Sequence, residues 1–131
     1  MLRSLAVQLP DATLADTGLD TLVELLDLIT ATGRRPLVID SDRLLDDPEA
    51  VLTAVCDGLG ITFDPAMLSW PAGPRPEDGV WAPHWYRRVH ESTGFRRRES
   101  DHPPLTPRLA EVLAQATPLS DRLAEYSVLS P

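Results

Sequence analysis

The segment Pro36-Leu37-Val38-Ile39-Asp40 constrains the fold more than any other stretch of the chain. It is a short, nearly continuous apolar run, bounded by Arg34-Arg35 before and Ser41-Asp42 after. That is the pattern of a strand buried on both faces, as in a parallel sheet flanked by helices. No second segment of the sequence matches it in quality. A lone buried strand leaves two rows of backbone donors and acceptors unpaired, and even an isolated pair of strands is marginal. The run at 36–40 therefore predicts neighbours from a partner chain, or self-association through the strand edge.

The remaining signals are helical. Asp47-Pro48, Asp64-Pro65, Thr106-Pro107 and Thr117-Pro118 each place an oxygen-bearing cap before a proline. The cap accepts orphan N–H groups, and proline at the first helical position loses no bond. Helices are predicted over about 48–58, 64–68, 107–116 and 118–126. In the third of these, Leu109, Val112, Leu113 and Ala116 share a face. Earlier, Leu19, Leu22, Leu26 and Ile29 make a stripe with Asp20, Glu24 and Asp27 turned away, and Gly33 closes that helix. Residues 71–83, rich in proline, glycine and charge, read as a loop, and 96–104 as a second one.

At 131 residues the chain has room for one domain with one modest core. Its net charge of −8 runs against binding to nucleic acid. All basic residues are arginine, so no lysine is present to grip a phosphate or act as a base. The single cysteine, Cys56, excludes an internal disulfide and sits in an apolar helical stretch, as an inert buried thiol does. No apolar run approaches the length of a membrane span, and Met1-Leu2-Arg3-Ser4 is too weak for a secretory signal, so a cytoplasmic location is expected.

The stretch "LVIDSDRLLDDPEAVLTAVCDGLGI", Leu37 to Ile61, resembles the sulfotransferase pattern of a strand, an acidic turn, Asp-Pro and an amphipathic helix ending in Leu-Gly. The stretch "FDPAMLSWPAGPRPEDGVWAPHWYRRVHESTGF", Phe63 to Phe95, is similar to the C-terminal half of a branch of bacterial sulfotransferase-family proteins. The resemblance implies sulfonate transfer from 3′-phosphoadenosine 5′-phosphosulfate to a hydroxyl or amine. It also implies a donor site made of a phosphate-cradling turn after a strand, an arginine and serine for the 3′-phosphate, and a late basic loop. Ser4, in the context "MLRSL", matches the serine. Arg96 and Arg97 correspond to the basic loop in a loose register. The glycine-rich turn, the 3′-phosphate arginine and the upstream base have no counterpart in this sequence.

Other candidates carry competing readings. Arg96-Arg97-Arg98, near Arg87-Arg88, suit a phosphate, but Glu99 and Asp101 beside them suit a solvated, charge-balanced face. His84 and His90 are spaced poorly for a metal, and either is a candidate general base; no metal site is expected. Trp81, Trp85 and Tyr86 fit an acceptor pocket or a loop anchored on the core. Asp40 and Asp42 follow the strand end, where ligands of α/β folds sit and where capping and turn roles are also common.

The reading that results is an α/β fold: the helix-dominated C-terminal part of a sulfotransferase-like P-loop domain, with one clear strand at about 36–40. Residues 1–131 are expected to form a single partial domain that lacks the donor-binding half and is inactive alone. The alternative is a small non-catalytic binding or regulatory module that reuses this part of the fold. The catalytic residue stays unassigned.

Overall fold

The computed structural model describes residues 2–96 and 104–129. In chain order the helices are α1 (Leu2–Gln8), α2 (Leu19–Ala31), α3 (Ser41–Asp46), α4 (Pro48–Leu59), α5 (Ala82–Trp85), α6 (Arg87–Glu91) and α7 (Pro107–Ala124). Short 3-10 turns occupy Ala15–Thr17 and Pro65–Leu68. The chain divides into two compact units, Met1–Asp40 with Glu99–Pro131, and Ser41–Arg98.

In the first unit, α2 packs against α7. Val23 and Leu26 of α2 are buried, as are Leu109, Val112 and Ala116 of α7. Their spacings of three and four residues put each set on one helical face. The stripe expected on α2 is thus rotated. Leu26 is buried, but Leu22 and Ile29 are 49% and 40% exposed, because one neighbouring helix covers only a narrow strip. Leu113 of α7 is likewise exposed. Two ion pairs span the same unit: Arg108 Nη1 meets Asp11 Oδ1 at 3.0 Å, and Arg122 pairs with Asp27.

Thr106 caps α7 through its hydroxyl, as its Thr-Pro pair predicts. Thr117-Pro118, by contrast, starts no new helix, and α7 runs through Pro118. Proline takes away the donor that would meet the carbonyl four residues earlier. Here that carbonyl is Ala114's; the Thr117 hydroxyl donates to the neighbouring Leu113 carbonyl at 2.8 Å, and the buried face at Leu109, Val112 and Ala116 holds the helix on one axis.

The expected strand at 36–40 shrinks to one parallel bridge between Val38 and Ser127. Val38 N–H donates to the Tyr126 carbonyl at 3.3 Å, and Val128 N–H donates to the Val38 carbonyl at 2.9 Å. Both backbone groups of Val38 therefore point toward 126–128, and those of Leu37 and Ile39 point away. Burial on both faces is also corrected: Leu37 and Ile39 are 38% and 46% exposed. The partner went unread because Tyr126-Ser127-Val128 lies at the end of a helical pattern, which hides so short an extended segment.

In the second unit, Asp47 accepts the Ala50 N–H at 3.1 Å and starts α4, which packs against α3. Gly60, at φ +70°, ends α4, and Ile61 N–H returns to the Cys56 carbonyl at 3.0 Å. This is a left-handed C-terminal cap that glycine adopts without strain. Val51 and Cys56 are each 1% exposed, which places the thiol in the core.

Two substitutions on α2 separate covered from open positions. Leu26→Ala should cost about 2–5 kcal/mol, the range for truncating a buried leucine. Leu28→Ala, at a position 65% exposed, should change stability by less than about 0.5 kcal/mol. Urea unfolding of both variants measures the difference, and equal losses would contradict the packing described.

Candidate functional site

The site grows out of the way the second unit folds its proline- and glycine-rich loop. Ser69 and Gly94 form an antiparallel bridge, Trp70 N–H donates to the Thr93 carbonyl at 3.2 Å, and Gly73 N–H donates to the His90 carbonyl at 2.8 Å. The two ends of the loop therefore run side by side. Trp70 seals them: its indole N–H donates to the Ser92 hydroxyl at 3.0 Å, and its ring meets Phe95 edge-on at 5.3 Å. Gly94 allows this approach, since a Cβ there would stand 3.1 Å from the Leu68 carbonyl oxygen.

That closure brings Asp78 to His90. The Asp78 carboxylate accepts the Arg75 N–H at 2.9 Å, which fixes the turn, and His90 Nε2 lies 2.7 Å from the same oxygen. Side-chain exposure is 22% for His90 and 20% for Asp78, so the pair is largely shielded. Tyr86 packs edge-on against the imidazole at 6.1 Å. The backbone hydrogen bond from Arg75, then the bond to His90, hold the Asp78 carboxyl below its ordinary pKa. With the carboxylate ionised, Nε2 is the nitrogen that carries the proton when the ring is neutral, and Nδ1 is left as an acceptor. The pair lines a cleft of about 480 Å³ together with Pro74, Gly79, Val80, Ala82 and Pro83.

The residues expected from the sequence distribute differently. Ser4 takes its place in the backbone of α1, in the first unit, and its side chain lies outside the described atoms. Arg96 is exposed in the second unit, and Arg97 lies outside the described residues. Trp81, Trp85 and Tyr86 do not anchor the loop by burial: they are 68%, 58% and 41% exposed, and Trp70 does the anchoring. None of the three lines the cleft. Among the described residues no group of three or more His, Cys, Asp or Glu side chains gathers to hold a metal.

The starts of the three longest helices, α2, α4 and α7, do not fit the phosphosulfate end of the nucleotide donor. A cradle for it needs free N–H groups at a helix start. Asp47 already occupies the first turn of α4, Thr106 that of α7, and Asp20 stands in the first turn of α2. Carboxylates at two of these three ends repel an anion.

His90 was legible as a titratable residue, and Asp78 as its partner was not. The pair is separated by twelve residues of loop, and only the turn signal Arg75-Pro76-Glu77-Asp78-Gly79 marked the position.

A helix-rich chain with a parallel bridge after Pro36 and an Asp-Pro capped helix ending at Gly60 is consistent with part of a sulfotransferase-like fold. The chain belongs to the sulfotransferase domain family, whose model matches residues 1–125. Two curated proteins of Arabidopsis thaliana are similar to it. "Branched-chain-amino-acid aminotransferase-like protein 1" is 54% identical over 80 residues, which is 61% of this chain and 14% of that protein. "Branched-chain-amino-acid aminotransferase-like protein 2" is 44% identical over 105 residues, 79% of this chain and 19% of that protein. The chain thus spans less than a fifth of the length of these relatives, and as plant proteins they do not speak for the bacterial branch suggested by Phe63 to Phe95. No solved structure matches the chain.

The Asp78 contacts give a pH dependence of known sign. A carboxyl lowered in the folded state stabilises it above its unfolded pKa of about 3.9 and loses that contribution as pH falls through the lower folded value. The difference in urea midpoint between the parent and Asp78→Asn should be steady above about pH 5 and shrink below about pH 4. A difference that grows with acidity would contradict the assignment.

Proposed function

We propose that this chain is the acceptor-side, C-terminal part of a sulfonate-transferring domain, and that it does not hold the nucleotide donor by itself. Family membership over residues 1–125 supports the lineage. The helix starts filled by Asp47, Thr106 and Asp20 support the second half of the reading. The donor, 3′-phosphoadenosine 5′-phosphosulfate, would be held by protein segments other than those described, and its transferable sulfonate would pass to a hydroxyl or amine. The protein works in the cytoplasm on this reading; no helix among the described residues is long and apolar enough to cross a membrane.

The names of the two plant relatives raise amino-group transfer as a rival activity. That chemistry rests on a lysine that forms a Schiff base with the cofactor. These 131 residues contain no lysine, so none of them can supply that Schiff base, and the family match favours sulfonate transfer.

The binding-module reading draws on one observation: the backbone groups of Leu37 and Ile39 have no partner among the described residues, and their side chains are exposed. A strand added there would complete the edge that Val38 leaves open. Proline at Val38 would disturb the pairing with 126–128, whereas Ile39→Pro removes a donor from the open edge itself. Ile39→Pro should therefore reduce association of the purified chain in sedimentation experiments. Unchanged association would move the contact away from this edge.

Calorimetry tests the main reading. The chain should give no measurable binding of 3′-phosphoadenosine 5′-phosphate. A dissociation constant in the low micromolar range, about −8 kcal/mol, would overturn the donor half of the proposal. The lineage is tested by sulfonate transfer in a longer chain that joins these residues to a phosphate-cradling turn. Absence of transfer to every hydroxyl and amine tried would overturn it.

A further inference from the structure

The segment from Arg34 to Asp40 carries a charge order that is its own complement. Two arginines open it, an aspartate closes it, and Leu37 stands at the centre. Its inner edge is taken, since both backbone groups of Val38 meet 126–128. The backbone groups of Arg35, Leu37 and Ile39 make no main-chain bond among the described residues. Alternation along an extended segment puts these three on the outer edge. Their side chains share one face, on which Leu37 and Ile39 are exposed, whereas Pro36 on the other face is buried and Val38 half-buried. Proline usually blunts an edge because it has no N–H to give. The nitrogen of Pro36 lies on the inner side with the groups of Val38, so the outer row keeps its donors.

We infer that this edge pairs with the same edge of a second copy of the chain, antiparallel, about a twofold axis at Leu37. The inference rests on the binding-module reading and names its partner. A parallel copy would set each arginine beside its own counterpart, and like charges side by side are destabilising. Antiparallel pairing centred on Leu37 sets Arg34 opposite Asp40 of the second copy, and the symmetry makes that contact twice. On the other face Leu37 meets Leu37, and Ile39 lies against the aliphatic stem of Arg35. Residues 35, 37 and 39 of one copy then exchange hydrogen bonds with 39, 37 and 35 of the other, so the whole outer row is used. An axis at Val38 would instead set Arg35 opposite Ser41, where α3 begins and the chain is no longer extended.

The competing account is an edge left to water, with its flanking charges keeping copies apart. Sedimentation and disulfide cross-linking of the 131-residue chain separate the two. The contact is far smaller than the roughly 20–30 residues a side of a standard interface, so a dissociation constant on the order of 100 μM is expected. At that concentration Leu37→Cys should give a disulfide-linked dimer under mild oxidation. The Cα atoms of a hydrogen-bonded antiparallel pair stand about 5.5 Å apart, within the span of a disulfide. Ile39→Cys should not link, because its counterpart lies four residues further along, about 13 Å away. Cys56 is 1% exposed, which leaves the parent unlinked.

Arg34→Asp should weaken the dimer by about tenfold, since symmetry applies the lost attraction twice. Arg88→Asp makes the same charge change at an exposed position outside the segment and should dimerise as the parent does. The inference is overturned if the parent stays monomeric at about 1 mM, a weakness outside the range of specific contacts. It is also overturned if Leu37→Cys links no more than the parent, if Ile39→Cys links as well as Leu37→Cys, or if Arg88→Asp weakens the dimer as much as Arg34→Asp. Failure here is distinguishable from failure of the binding-module reading. Association that Ile39→Pro abolishes, without a Leu37→Cys link, keeps the open edge as the contact and discards the twofold antiparallel pairing.

Discussion

The first unit depends on the packing of α2 against α7. That contact joins a segment near the start of the chain to one near its end, so its formation closes a loop of more than seventy residues. Loop closure of that length costs entropy that grows only slowly with the number of residues enclosed. Val23, Leu26, Leu109, Val112 and Ala116 supply the apolar burial that offsets it. The ion pair of Arg122 with Asp27 joins the same two helices, and that of Arg108 ties α7 to Asp11 in the segment before α2. They are exposed, and pairs of that kind add little energy. The role of the Arg122–Asp27 pair is to favour one register of the two helices.

The second unit solves a different problem, namely how to order a stretch with four prolines and three glycines between residues 71 and 94. It does so with a few main-chain bonds and one indole. Trp70 covers the clasp from one side, and the Asp78–His90 pair closes it from the other. The titratable pair is thus a by-product of closing the loop and, by the same geometry, a held imidazole beside an apolar cleft. Few side chains are fully buried in this unit, with Val51 and Cys56 the most completely covered. Precision at the site therefore comes from hydrogen bonds more than from packing.

Capping chemistry was the most legible part of the sequence. Asp47-Pro48, Asp64-Pro65, Thr106-Pro107 and Gly60 act through contacts within a few residues, so the local sequence decides them. Thr117-Pro118 carries the same signal and yields none of the same structure, because α2 lies against the face that would have to break. The segment at 36–40 was legible as extended, and its pairing with Ser127 was not, since that contact joins positions far apart in the chain. The aromatic cluster at Trp81, Trp85 and Tyr86 drew attention by density, whereas the isolated Trp70 does the sealing. Which indole is covered depends on where Ser92 and Phe95 fall, and no spacing rule reports that. Ser4 and Arg96 came from a family resemblance, and they belong to separate units.

Pro118 gives α7 an uneven mechanical character. The helix carries its buried face at Leu109, Val112 and Ala116, all before the proline, and reaches Tyr126-Ser127-Val128 only after it. A missing amide at that point leaves one rung out of the ladder, so bending is softest there. Amide hydrogens on the two sides should consequently exchange as two populations, slow along the buried face at Leu109, Val112 and Ala116 and faster beyond the gap, where the contact with α2 includes the exposed Arg122–Asp27 pair. The register of Val38 is governed by the faster half, so the extended segment is tethered to the core through a compliant joint and not through a rigid rod.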